Sequence, residues 1–211
     1  MEDKKITPQE SVEIISAMIN ATKQRVAMPD VRISLIWAAV SILTAIAALV
    51  TIGCTRNPVY NYIWFAIPVI GCPINYIMCR KHTVTKTVKT QIDIYTDNIW
   101  KIIGYLAIPI SIICLIFNIL GHSEAWLAML CYGFIVIGFG CVGQGVLIKE
   151  QSYVLGGALS IVAGFGVIAT LICNLPLNVF WVFPLFILCM VLEFVVPAFV
   201  IRKKIDRDER A

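Results

Sequence analysis

Glu193 is the one ionisable side chain that the sequence places well inside a long apolar run, Leu188-Cys-Met-Val-Leu-Glu193-Phe-Val-Val-Pro197. It precedes Arg202 by nine residues, so roughly 13 Å of helix separates it from the basic flank. A carboxyl at such a depth is costly as the anion, and such residues usually face a bundle interior or a wet cavity with a partner. Asn75 and Gln144 are the candidate partners: each stands five residues before a basic residue, Arg80 and Lys149. Two chemistries are open to Glu193. It could hold a proton or an ion along a transport path, or it could join helices as a hydrogen-bonded acid, or reach toward Arg202 or Lys203.

Other chemistry finds less support. There is no GxSxG, no HExxH and no Ser/His or Asp/Asp pairing within the apolar runs, so no catalytic residue is expected and the chain reads as non-enzymatic. The glycines around Gln144 follow no strand, which is the wrong context for a nucleotide loop, and they suit close helix packing instead. Eight cysteines are scattered without a CxxC pair, and only His82 and His122 could assist them. Neither a metal site nor a cofactor is expected. Cys54 and Cys173 fall at the same expected face and could pair in an oxidising compartment.

The elements that must position these residues are membrane spans. The chain is 59% hydrophobic and 14% charged, with mean hydropathy +0.86, whereas soluble domains run near a quarter charged. A span needs about 20 apolar residues, and six such runs are present, at about 33–52, 62–78, 102–120, 125–148, 153–173 and 180–201. The predicted fold is therefore an all-α polytopic bundle of six transmembrane helices in three hairpins. The lipid bilayer is its solvent. No surface combines basic and aromatic residues as nucleic-acid binding would require.

Two amphipathic segments lie outside the spans. In residues 1–32, Thr7-Pro8-Gln9-Glu10 reads as a capping box, followed by a helical stripe of Val12, Ile15, Ile19, Thr22 and Val26. This helix either lies against the membrane or docks on another protein. In the linker 79–101, Val84, Val88, Ile92, Tyr95 and Ile99 form a second stripe, read as an interfacial helix entering the third span. Residues 202–211 read as a basic tail. Sixteen of the seventeen Lys and Arg residues fall on one side of this topology and only Arg56 on the other. Both termini are then expected in the cytoplasm.

Small residues predict packing faces: Ala38, Ser41, Ala45 and Ala48 in the first span, and Gly156, Ser160 and Gly164 in the fifth. Tryptophans recur at 37 and 100, and again at 64 and 126. Tandem duplication of a hairpin would explain that spacing, as would ordinary aromatic belts.

The opening Thr-Pro-Gln-Glu-Ser-Val-Glu-Ile-Ile-Ser-Ala-Met-Ile, the run Trp64 to Pro73 and the linker up to Trp100 resemble a family of small six-span membrane proteins of Bacteroides-type bacteria. The resemblance implies an inner (cytoplasmic) membrane location and a regulatory partner, and it supplies no catalytic residue. The leading expectation is a regulatory, sensing or scaffold protein engaging a cytoplasmic partner, with a homo-oligomer also open. The alternative is a small proton- or ion-linked transporter or channel using Glu193.

Overall fold

A computed structural model describes residues 8–83 and 91–208, and every regular element among these is helical. Helix α1 (Pro8–Thr55) leads through a 3-10 stretch (Pro58–Phe65) into α2 (Ala66–Thr83). Next come α3 (Gln91–Ile119), α4 (Trp126–Ile148) and α5 (Gln151–Ile172). The sixth apolar helix has three parts: α6 (Val179–Met190), a π-helical turn (Val191–Val195) and α7 (Val196–Asp208). Six of the described segments are long and apolar enough to cross a bilayer, and they coincide with the expected runs apart from their ends. The chain is thus an all-α, multi-pass integral membrane protein.

The segments outside the spans continue into them as helix. The N-terminal amphipathic helix and the first span are one continuous helix of 48 residues, about 70 Å long at 1.5 Å per residue. Nothing beyond the single donor missing at Pro29 interrupts it. Val84 and Val88 lie outside the described residues, whereas Ile92, Tyr95 and Ile99 form the first turns of α3, which runs unbroken into the third span. The basic segment after Ile201 continues as helix to Asp208. Pro68 falls in the first turn of α2, directly after the 3-10 stretch, and Pro73 lies within the helix.

The interior is built by α1, α4, α5 and the sixth helix; α2 flanks α1 and α3 flanks α4. Lipid is as apolar as these side chains, so helices associate through close contact rather than through hydrophobic burial. The sequence supplies that contact where expected. Ala38, Ser41, Ala45 and Ala48 are all buried on α1, which packs along α6. Gly156, Ser160 and Gly164 are all buried on α5. A Cβ on Gly157 would lie 2.5 Å from the Gly138 carbonyl oxygen, so α4 and α5 touch backbone to backbone. By contrast α3 leaves Ile102, Tyr105, Ile108, Ile112, Ile116 and Ile119 exposed, a lipid-facing stripe at helical spacing.

Inter-helix hydrogen bonds secure the end that carries the basic residues. Ser34 Oγ and Tyr153 Oη are 2.9 Å apart, joining α1 to α5 in a buried position. In the two-residue α4–α5 turn, Lys149 takes left-handed φ 56° and Glu150 caps α5. Glu150 also accepts a 2.5 Å ion pair from Lys204 of α7. At the opposite end Tyr62 donates to Asn118 Oδ1 at 3.0 Å, and Tyr62 and Phe65 each meet the Trp126 ring edge-on.

Candidate functional site around a buried carboxyl

Glu193 lies in the middle of the π-helical turn and has no exposed surface. The Val196 N–H reaches back five residues to the Val191 carbonyl, which marks the wide turn. Pro197 follows at once and has no N–H to return to the preceding turn, so regular pairing fails at the same place. π-helical turns of this kind recur at functional sites in helices. On the α5 side, a Cβ at Gly156 would collide with the Leu192 carbonyl group. Only glycine lets the backbone of α5 approach the bulge so closely.

The carboxyl faces inward onto α4 and α5. A Cβ at Gly138 would lie 3.3 Å from Glu193 Oε1 and 2.9 Å from the Gly157 carbonyl oxygen, so backbone closes over the acid. Ser160 stands beside it, but the Ser160 hydroxyl donates to the Phe134 carbonyl at 3.0 Å. The thiols of Cys141 and Cys189, both buried, are the nearby titratable groups. Both Glu193 oxygens are buried without a hydrogen-bond partner, a condition shared among the described residues with Trp126 Nε1 and Thr96 Oγ1.

The expected partners are engaged differently. Gln144 is buried on α4, and its Oε1 accepts from Trp100 Nε1 at 2.8 Å, so it ties α3 to α4 instead of meeting the acid. The Trp100 ring lies 5.9 Å from that of Phe194, centroid to centroid. Gln144, Trp100 and Phe194 thus form a continuous layer next to the bulge, toward the basic end. Asn75 is half-buried on α2, which packs on α1. Neither is hydrogen-bonded to Glu193.

The surface segments fall elsewhere. Val12 and Ile15 are exposed on the first turns of α1, as are Ile92 and Tyr95 on α3. Ile19 and Val26 belong to α1, but their side chains lie outside the described residues, as do those of Val84 and Val88. Ile99 and Tyr95 line a shallow apolar groove with Ile102, Gly143, Val146 and Leu147, between α3 and α4. Glu193 is not among its lining residues. No group of His, Cys, Asp and Glu among the described residues could hold a metal ion. Cys54 and Cys173 are exposed free thiols.

Sequence reasoning did not name Ser160 as a neighbour of the acid, nor Trp100 as the partner of Gln144. The sequence contains a signal for the first: Gly156-x-x-x-Ser160 was legible as a packing face, and a packing face must lie against something. The π-helical turn had a fainter signal in Pro197, four residues after Glu193.

No protein-family model, curated protein or solved structure matches the chain.

Proposed function

We propose that this chain is a non-enzymatic regulatory, sensing or scaffold protein of a bacterial inner membrane, engaging a cytoplasmic partner through the first turns of α1. The observation that carries the reading is the length and exposure of α1. About 30 Å suffices to cross the hydrocarbon core, so much of this 48-residue helix extends beyond it. Its opening turns present Val12, Ile14 and Ile15 to solvent, with exposed Glu10 and Glu13 interleaved. Because the same helix forms part of the bundle interior, a load on its free end is transmitted to the membrane core without an intervening loop. The strong one-sided placement of Lys and Arg supports a cytoplasmic location for that end. The inner-membrane assignment rests on the resemblance of the opening, second-span and linker residues.

The alternative, a small proton- or ion-linked transporter or channel using Glu193, is favoured by one observation, the unpartnered carboxyl. Against it, Gln144 is committed to Trp100 and backbone closes over the acid.

A photocrosslinking residue at Ile15 tests the leading reading in native membranes. A stoichiometric protein adduct, lost when residues 1–28 are deleted, is the expected result. Adducts confined to lipid or to a second copy of the chain would overturn it and direct attention to flux assays in liposomes.

A further inference from the structure

We propose that Glu193 is a proton-binding site, and that the π-helical turn stays closed against α5 only while its carboxyl holds the proton. The inference concerns a different part of the molecule from the proposed docking end of α1 and does not rest on it.

Charge comes first. The apolar segments packed around the bulge, residues 33–55 of α1 and the whole of α4, α5 and α6, contain no Asp, Glu, Lys, Arg or His, and Arg32, which precedes that stretch of α1, is exposed. On α7 the nearest cation in sequence is Arg202, and it is exposed. The titratable neighbours are the thiols Cys141 from α4 and Cys189 from α6, and α5 also carries the buried phenol of Tyr153, whose hydroxyl meets Ser34 Oγ; none of these can supply a positive charge. A buried carboxylate with neither a counter-ion nor a donor is among the costliest states a protein can adopt. The neutral acid is the form this enclosure accommodates.

Hydrogen-bond capacity gives the same answer independently. A serine hydroxyl has one proton to give, and that of Ser160 goes to the Phe134 carbonyl. Towards Glu193 it therefore has only lone pairs to offer. A carboxylate can only accept, so it draws on Ser160 only by turning the hydroxyl proton away from the Phe134 carbonyl, whereas a carboxylic acid can donate its own proton to Ser160 Oγ with that bond intact. Protonation converts an orphaned group into a donor with an acceptor beside it.

Size excludes larger occupants. Hard cations require several oxygen ligands at about 2.0–2.6 Å. Here Gly138, Gly156 and Gly157 bring backbone so close that even a methyl group would not fit. A proton is the ligand for which space exists.

The wide turn makes the site responsive. A π-helical turn is a discrete departure from α-helical pairing, and packed elements shift between discrete arrangements rather than deforming gradually. When the proton leaves, the anion is driven toward water and the turn separates from Gly156. α7 lies directly beyond it, carrying Lys204, paired with Glu150 of the α4–α5 turn, and Ile205, which is buried. Displacement at Glu193 is thereby delivered to the basic end of the molecule.

The test measures access to the buried thiols that flank the acid. The full chain in lipid nanodiscs is treated with a membrane-permeant maleimide between pH 6 and pH 9, and modification of Cys189 and Cys141 is quantified by peptide mass spectrometry. In Glu193→Gln the turn remains closed, so labelling follows thiolate formation alone, about tenfold per pH unit below the thiol's midpoint. In the wild type, opening adds a second deprotonation, and the slope climbs toward about a hundredfold per pH unit. Equal slopes in the two proteins would overturn the proposal. If Glu193→Gln does not fold, the wild type decides by infrared difference spectroscopy. A protonated-carboxyl band present at pH 7 and lost in step with Cys189 labelling is expected, and its absence would overturn the proposal equally.

Discussion

The α4–α5–sixth-helix seam and the flanking helix α3 are similarly apolar in sequence but opposite in packing, and the less apolar second span is as little buried as α3. Of the most apolar window in each span, 44% of residues are buried in α4, against 6% in the second span and 6% in α3. Hydropathy does not separate them: α3 at 2.4 exceeds α4 at 2.0. Residue size does. The seam is written in Gly138, Gly156, Gly157 and Ser160, while α3 carries isoleucine along its exposed face. In a membrane, small residues bring backbones together and large aliphatic ones meet lipid. The unpartnered carboxyl occurs at the closest backbone approach, so the tightest part of the bundle is also its most chemically stressed.

The sharpest way to break this comparison is to make the same change on both sides of it. Gly156→Ala places a methyl group against the Leu192 carbonyl, a backbone group that cannot swing aside. Overpacking of that kind costs about 1–3 kcal/mol or more. Gly104→Ala on α3 meets nothing within 4 Å, and the gain in helix propensity is at most about 1 kcal/mol. Thermal unfolding in one detergent should therefore show a lowered midpoint for Gly156→Ala and an unchanged or raised one for Gly104→Ala. Equal effects would mean that the seam is no more constrained than the flank.

A smaller effect is expected where the seam is joined to α1. Tyr153→Phe removes the hydroxyl that meets Ser34 Oγ but retains the ring. Hydrogen bonds between helices in membranes are worth about 0.6 kcal/mol on average and up to about 1.7. The cost should stay within that range because Ser34 can turn its hydroxyl back to its own helix. A cycle with Ser34→Ala measures the coupling directly: additive losses would show that the contact contributes nothing.

The fold was legible because each span announces itself by length and apolar character, and a bilayer leaves helices as the main solution. The packing faces of α1 and α5 were legible for a related reason, since a stripe such as Gly156-x-x-x-Ser160 has little use except close contact. The partners of polar residues were not legible. The carboxyl of Glu193 faces Gly138 of α4, whereas Gln144 lies further along that helix toward the basic end, and spacing from a basic flank matches depths only to within about a turn. Duplication and an aromatic belt both account for a tryptophan at position 100, yet its indole N–H is the donor that takes Gln144. The start of the first span was legible in composition, at about residue 33 against Val31, but the continuity of the helix through it was not. A helix passing from water into lipid alters its residues without altering its backbone.

The smallest effect should come from the Glu150–Lys204 pair, whose cation is solvated, and its pH dependence distinguishes it from the seam. Glu150 is pushed up by partial burial, but hydrogen bonds from Lys204 and Ser152 outweigh this and hold its carboxyl below the ordinary value of 4.5. A carboxyl depressed in the folded state contributes stability above its unfolded value and loses it as the pH falls through the folded one. Lys204 is 60% exposed, so the contribution should be under about 1 kcal/mol and should weaken with salt. Lys204→Ala should then lower the unfolding midpoint slightly at pH 7, and the gap from wild type should close as the pH drops below the usual carboxylate range. Opening at Glu193 would run the other way, with loosening as the pH rises. A gap that instead persisted unchanged into acid would show that Lys204 acts through the packing of its aliphatic stem on the α4–α5 turn and not through its charge.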